Sequence, residues 1–224
     1  MRRHVRSHLT RRGLMGLTAA ALSLAALPLA AAPALAQDAG YDPVKAATEG
    51  VMIGDPKAPI TVIEYASIAC SHCGHFDAEI LPKIKAEFID SGQVKLIFRD
   101  YPLNAPGLRA AMLVHCGGPE KGKALKSVYF KTQAKWLNQD FLQHLTQTAK
   151  LAGMSQPQID ACLANKPLED AIIQSQMVAA EKYKIDSTPT FLINEGAGRV
   201  NGANEQELID ALVKAGAKRG KPAG

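Results

Sequence analysis

An apolar, β-branched run, Ile60-Thr-Val-Ile-Glu-Tyr-Ala66, leads through three residues into Cys70-Ser71-His72-Cys73. A run of this composition reads as a strand. Beyond Cys70, Phe76, Ile80, Ile84, Phe88 and Ile89 recur at helical spacing over 71–91, with Pro82 expected to kink the helix. A strand feeding a helix at this point sets Cys70 at the helix N-terminus, where unpaired N–H groups and the helix dipole favour a thiolate. The second thiol, one turn on, faces the same way and is placed to resolve a mixed disulfide. The pattern C-x-x-C also serves zinc and iron–sulfur sites, and Cys70-Ser-His-Cys73-Gly-His75 offers up to four donors in six residues. No second ligand cluster follows at zinc-ribbon spacing, and the strand–helix junction favours redox chemistry. A purely structural disulfide here would enclose too short a loop to constrain the unfolded chain much.

The four cysteines suit an oxidising compartment, and the first 36 residues supply a route to one. Arg2, Arg3, Arg6, Arg11 and Arg12 form a basic n-region, an Ala/Leu-rich stretch runs from Leu14 to Leu29, and Ala34-Leu35-Ala36 is a small-x-small cleavage site. Residues 1–36 are therefore predicted to be a signal peptide rather than a transmembrane anchor. Thr10-Arg11-Arg12-Gly13-Leu14-Met15 also matches a twin-arginine signal, so both export routes stay open. Five of the 26 basic side chains and none of the 21 acidic ones lie in this leader. The remainder is formally neutral, which removes the electrostatic case for nucleic-acid binding.

Residues 37–50 read as a short N-terminal arm, ordered or loose, and Gly54-Asp55-Pro56-Lys57-Ala58-Pro59 as a turn before the first strand. Gln93–Arg99, with Val94, Leu96 and Phe98 alternating, is the next strand. A strand–helix–strand unit of this length implies a parallel pair joined by a right-handed crossover. Helical patterns then occupy 106–117, 121–136, 138–152, 155–164 and 167–183. Thr190–Ile193 and Arg199-Val200 read as a hairpin, and Glu205–Ala217 as an amphipathic helix. The order points to a small α/β domain over 51–104 and 184–224, interrupted by a helical block over 105–183.

These residues resemble the thioredoxin superfamily, and within it the DsbA-like thiol oxidoreductases of bacterial cell envelopes. The likeness rests on the Cys-x-x-Cys at the first helix, the inserted helices, Phe98-Arg-Asp-Tyr-Pro-Leu103, and Ser187-Thr188-Pro189-Thr190-Phe191 before the hairpin. It implies a thioredoxin fold with an inserted all-helical subdomain, and a cis Pro189 opposite the cysteines. It also implies that the backbone at Thr188 and Pro189 binds substrate peptide as an added strand. Ser71 stands where the best-known oxidases carry proline, and His72 matches their histidine. His72 is expected to donate to the Cys70 sulfur from its imidazole or a nearby N–H. Glu64 matches an acidic position near the second cysteine and is a candidate proton relay for Cys73, or else a paired glutamate. Cys116 and Cys162 fall in the helical block, where some relatives carry an extra disulfide; a bridge and two independent buried cysteines are the alternatives.

The expected activity is thus that of a periplasmic thiol:disulfide oxidoreductase with no cofactor or metal beyond the Cys70–Cys73 disulfide. The resemblance implies reduced exported proteins as substrates and a membrane quinone-linked reoxidising partner of the DsbB type. A monomer is expected, because isomerases of the superfamily assemble through an added N-terminal region and only 37–50 precede Val51 here. A reductase or isomerase kept reduced by a membrane donor, and a soft-metal chaperone, are the competing functions.

Overall fold

The computed structural model describes residues 40–219. The expected export signal over 1–36 lies outside the described residues. Strand β2 (Ile60–Ala66) is the central strand, pairing in parallel with β3 (Val94–Asp100) and antiparallel with β4 (Thr190–Ile193). β5 (Gly198–Asn201) extends the sheet beyond β4. On the other side, β1 (Val51–Ile53) pairs antiparallel with β3, giving the order β1-β3-β2-β4-β5. A βαβ crossover joins β2 to β3, as a parallel pair requires.

The N-terminal arm takes the ordered one of its two readings. Residues 43–49 form α1 (Pro43–Glu49), begun by Asp42, whose carboxylate accepts the Val44 N–H, with Pro43 in the first turn. Val44 and Ala47 pack into the helical core, so this segment is part of the fold. A seven-residue helix and a three-residue strand are too short for either periodicity to register in the sequence.

The helix after Cys70 opens as α2 (Ser71–His75), widens through a π-type turn (Phe76–Ile80), continues as α3 (Leu81–Ile84) and widens again over Lys85–Ile89. Pro82 lies directly after the first wide turn, where the Leu81 N–H bonds Phe76 O, so the missing proline N–H is absorbed by the widened ladder. Phe76, Ile84 and Phe88 of this segment bury against Leu96, Phe191 and the C-terminal α10 (Glu205–Lys214).

Six helices separate β3 from β4: α4 (Ala105–Cys116), α5 (Gly118–Lys131), α6 (Gln133–Trp136), α7 (Phe141–Leu151), α8 (Gln156–Leu163) and α9 (Lys166–Tyr183). The single predicted helix over 121–136 breaks at Thr132, which has non-helical φ/ψ. The block packs Met112, Leu113, Leu125 and Tyr129 against Ala66, Phe98 and the cysteine loop, at the end of the sheet that carries the site. Among the described residues no helix is long and apolar enough to cross a membrane.

Cys116 and Cys162 are bridged, tying α4 to α8 across a sequence separation of 46. Closing a loop of that length restricts the unfolded chain by about 4 kcal/mol on the chain-entropy account. The double variant Cys116→Ala/Cys162→Ala should lose roughly 3–5 kcal/mol in urea denaturation; unchanged stability would show that the bridge is not a staple.

Candidate active site

Cys70 is the N-cap of α2. Its backbone is extended, and its sulfur accepts the Cys73 N–H at 3.4 Å. A cap normally offers oxygen to this orphan N–H; here a sulfur takes the place, and its anion accepts better than its thiol. The largest influence on Cys70 is the Cys73 side chain, whose thiol hydrogen-bonds the Cys70 sulfur; the pKa of Cys70 falls to about 5 against the opposing effect of burial. Thr188 and the backbone N–H groups of Cys73 and His72 act in the same direction. His72 therefore enters the site through its peptide, and the residue is exposed.

Cys73 is in the opposite situation. It has no exposed surface, whereas Cys70 keeps 8%. Burial, the hydrogen bond its thiol gives to the Cys70 sulfur and, once ionised, Glu64 all push the Cys73 thiol far up. The less buried cysteine is the one whose thiolate is favoured, and the fully buried one holds its proton. A buried thiol of this kind is also a poor half of a dithiolate metal site. His75 lines an open cleft with Glu79, Lys83 and Glu205, two of which, Lys83 and Glu205, are paired at 2.6 Å.

Thr188 and Pro189 sit over Cys70, and the peptide between them is cis. The Cys70 thiol donates to the Thr188 carbonyl at 3.4 Å. The Thr188 hydroxyl is buried and forms no hydrogen bond among the described residues. The loop is held from several sides: Tyr101 Oη donates to Ile185 O at 2.8 Å, Thr190 Oγ1 to Ser187 O at 2.8 Å, and the Gly202 N–H to Pro189 O at 2.8 Å.

Glu64 points into the core from the middle of β2, between Phe98 of β3 and Phe191 of β4 in register. It is 1% exposed, its Oε1 has no partner, and desolvation pushes its pKa up to about 8. A neutral carboxyl within electrostatic reach of Cys73 is what a proton donor to a buried leaving thiolate requires.

Against this geometry the comparisons are decisive. The profile of the Thioredoxin family matches residues 46–215. The chain belongs to that family. Among solved structures it resembles α-DsbA1 of Wolbachia pipientis, 33% identical with a TM-score of 0.67 over 73% of this chain and 89% of that one. That places it in the DsbA-like branch. Oxidised BdbD of Bacillus subtilis, at 22% identity and TM-score 0.66, shares the fold over 74% of this chain and 92% of its own. A putative protein-disulfide oxidoreductase of Rickettsia typhi is 26% identical over 152 residues, 67% of this chain. This chain spans 56% of that relative's length. Disulfide bond formation protein D of Bacillus subtilis is 26% identical over 171 residues, covering 73% of this chain and 75% of that protein.

Three side chains of this DsbA-like site carry no signal in the sequence. Lys126 of α5 reaches Asp77 at 2.6 Å, with both side chains almost fully buried, and its ammonium lies 4.8 Å from the Phe98 ring and 5.2 Å from Phe130. Lys126 lowers and Asp77 raises the pKa of Glu64, so the pair tunes the carboxyl behind Cys73. Gln133 of α6 donates to the cysteine loop itself. Asp77 reads as a surface residue of an amphipathic helix, and Lys126 and Gln133 arrive from 49 and 63 residues away. A separate buried pair, Asp100 and His115 at 2.6 Å, ties β3 to α4.

The buried carboxyl makes stability depend on pH with a definite sign. Because the folded pKa of Glu64 is about 8 against 4.5 unperturbed, ionisation favours the unfolded chain as pH rises from about 4.5 to about 8. The oxidised wild type should therefore lose a few kcal/mol relative to oxidised Glu64→Gln across that range, since each pKa unit is worth about 1.4 kcal/mol. Urea denaturation at pH 4.5, 6 and 8 measures it, and parallel curves for the two proteins would refute a buried neutral Glu64.

Proposed function

We propose that this protein is an exported thiol:disulfide oxidoreductase that donates the Cys70–Cys73 disulfide to reduced exported proteins in the periplasm. The observation that carries the reading is what Cys73 offers the Cys70 sulfur, a hydrogen bond from its thiol and another from its N–H at 3.4 Å, with which the pKa of Cys70 falls to about 5. Whatever stabilises the thiolate stabilises the reduced enzyme, so the disulfide becomes the more oxidising. The shared family with named disulfide oxidoreductases supports the same class of chemistry.

In the proposed cycle a substrate thiolate attacks Cys70 Sγ. The Cys70–Cys73 bond breaks, a substrate–Cys70 disulfide forms, and Cys73 leaves with the electron pair, taking a proton from neutral Glu64. A second substrate thiolate then attacks the substrate sulfur of the mixed disulfide. The substrate disulfide forms and Cys70 departs as its stabilised thiolate, leaving the enzyme reduced by two electrons. Substrate peptide lies along the Thr188 and Pro189 backbone as an added strand. Turnover then requires an acceptor for the two electrons, for which a membrane quinone-linked partner of the DsbB type is the proposed source. The working unit is proposed to be a monomer.

Thermal midpoints of the two redox forms, with Cys116–Cys162 intact, decide the direction. The reduced protein should melt several degrees higher, because a few kcal/mol shifts the midpoint of a domain this size by roughly 2–4 °C each. An oxidised form that melts higher would replace the oxidase with a reductase or isomerase.

A further inference from the structure

The groups that surround the Cys70 sulfur come from the cysteine helix and the Pro189 loop, but the peptide that carries Cys70 is also held from the inserted helices. Gln133, the first residue of α6, donates through Nε2 to Ile68 O at 2.6 Å and to Cys70 O at 2.9 Å. Cys70 O already accepts the Gly74 N–H at 3.0 Å, so one lone pair is used by the helix and the other by Gln133. The other end of the same amide lies against α2. A Cβ built at Gly74 would stand 2.6 Å from Gln133 Oε1 and 3.1 Å from its Cδ. Gly74 is a helical residue without positive φ, a place where glycine weakens a helix and where the backbone does not call for it. The close approach of Gln133 is what accounts for it. Gln133 is itself anchored: Trp136, three residues on, is buried and donates to Tyr129 O at 2.8 Å, and Tyr129 donates to Leu145 O at 2.9 Å.

We propose that Gln133 is a positioning residue for the Cys70 nucleophile, and that Gly74 is the gap in α2 that admits it. The proposal rests on the reading of Cys70 as the attacking sulfur. A cap works only while its carbonyl turns into the helix and its side chain turns back over the third N–H. The single-bond rotation that sets both is ψ of Cys70, held at 124°. Gln133 fixes that rotation from outside by gripping the carbonyl on the face the helix leaves free. Its amide hydrogens also bring positive charge to the end of the helix where the thiolate sits. Losing the grip frees the Cys70 peptide to rotate, and the sulfur then loses alignment with the Cys73 N–H. The inserted block thereby sets the reactivity of a cysteine to which it makes no bond at sulfur.

The test is the pH profile of iodoacetamide alkylation of Cys70 in the reduced full-length protein. Gln133→Met keeps the length and removes the donor. Its midpoint should move upward by about one unit, so that alkylation just above the wild-type midpoint slows several-fold while the rate at high pH is retained. Gly74→Ala should shift the midpoint in the same direction, and the shift should largely vanish on the Gln133→Met background, where a flexible thioether yields to the added methyl. A Gln133→Met midpoint equal to wild type, whatever its thermal midpoint, overturns the proposal. So does a Gly74→Ala shift that persists undiminished in the double variant. If Gln133→Met does not fold, Gly74→Ala decides alone, an unshifted midpoint counting against the proposal. A wild type with no midpoint below neutrality would instead overturn Cys70 as the low-pKa nucleophile.

Discussion

The site depends on one substitution of atoms at a helix end: a sulfur occupies the position that an oxygen normally takes at an N-cap. The Cys73 N–H that Cys70 accepts is one of the orphan donors every helix leaves at its start. A hydroxyl there is satisfied at any pH, but a thiol is a weak acceptor until it ionises. Ionising the nucleophile thus strengthens the closure of the helix, and the strand–helix junction after Ala66 is what brings Cys70 to that position. When Cys70 joins Cys73 in a disulfide, the sulfur accepts only weakly and the cap is largely lost. On the proposed reading, the free energy that separates the two redox forms lies partly in that difference and partly in the hydrogen bond from the Cys73 thiol, which the disulfide also removes.

The second cysteine is kept unlike the first by placement rather than by residue type. One helical turn carries Cys73 from 8% to zero exposure, toward a carboxyl that burial between two phenylalanines keeps neutral to about pH 8. The Lys126–Asp77 pair then limits how far that carboxyl is shifted. Removing either partner would leave a buried charge uncompensated, which costs more than the intact pair contributes. Two of the groups that condition the cysteines, Lys126 and Gln133, belong to the inserted helices. The insertion therefore completes the site as well as covering it.

How much of this was legible from residues alone follows from the range of each interaction. The β2 and β3 strands, the helix after Cys70 and the helices of the inserted block announce themselves through local periodicity, and their observed bounds differ from the sequence reading by a few residues. Cys70, Cys73, Glu64, Thr188 and Pro189 are brought together in the fold. His72 was expected to act through its ring or a nearby N–H, and the peptide N–H is what acts, a distinction no composition encodes. α1 and β1 escaped because seven and three residues show no period. Lys126, Asp77 and Gln133 escaped because each looks like an ordinary polar residue of an amphipathic helix until a partner from another element meets it.

The central claim, that a Cys70 thiolate capping α2 separates the redox forms, is tested most directly by the pH dependence of the reduction potential. Each proton taken up with the two electrons moves the potential by about 30 mV per pH unit. Below the Cys70 pKa of about 5 reduction takes up two protons, and above it only one. Glutathione equilibration of the Cys70–Cys73 pair from pH 4 to 7, short of the Glu64 titration, should therefore show a slope falling from about 59 to about 30 mV per unit near pH 5. A slope that stays near 59 mV up to pH 7 would mean that Cys70 remains a thiol, and the account would fail.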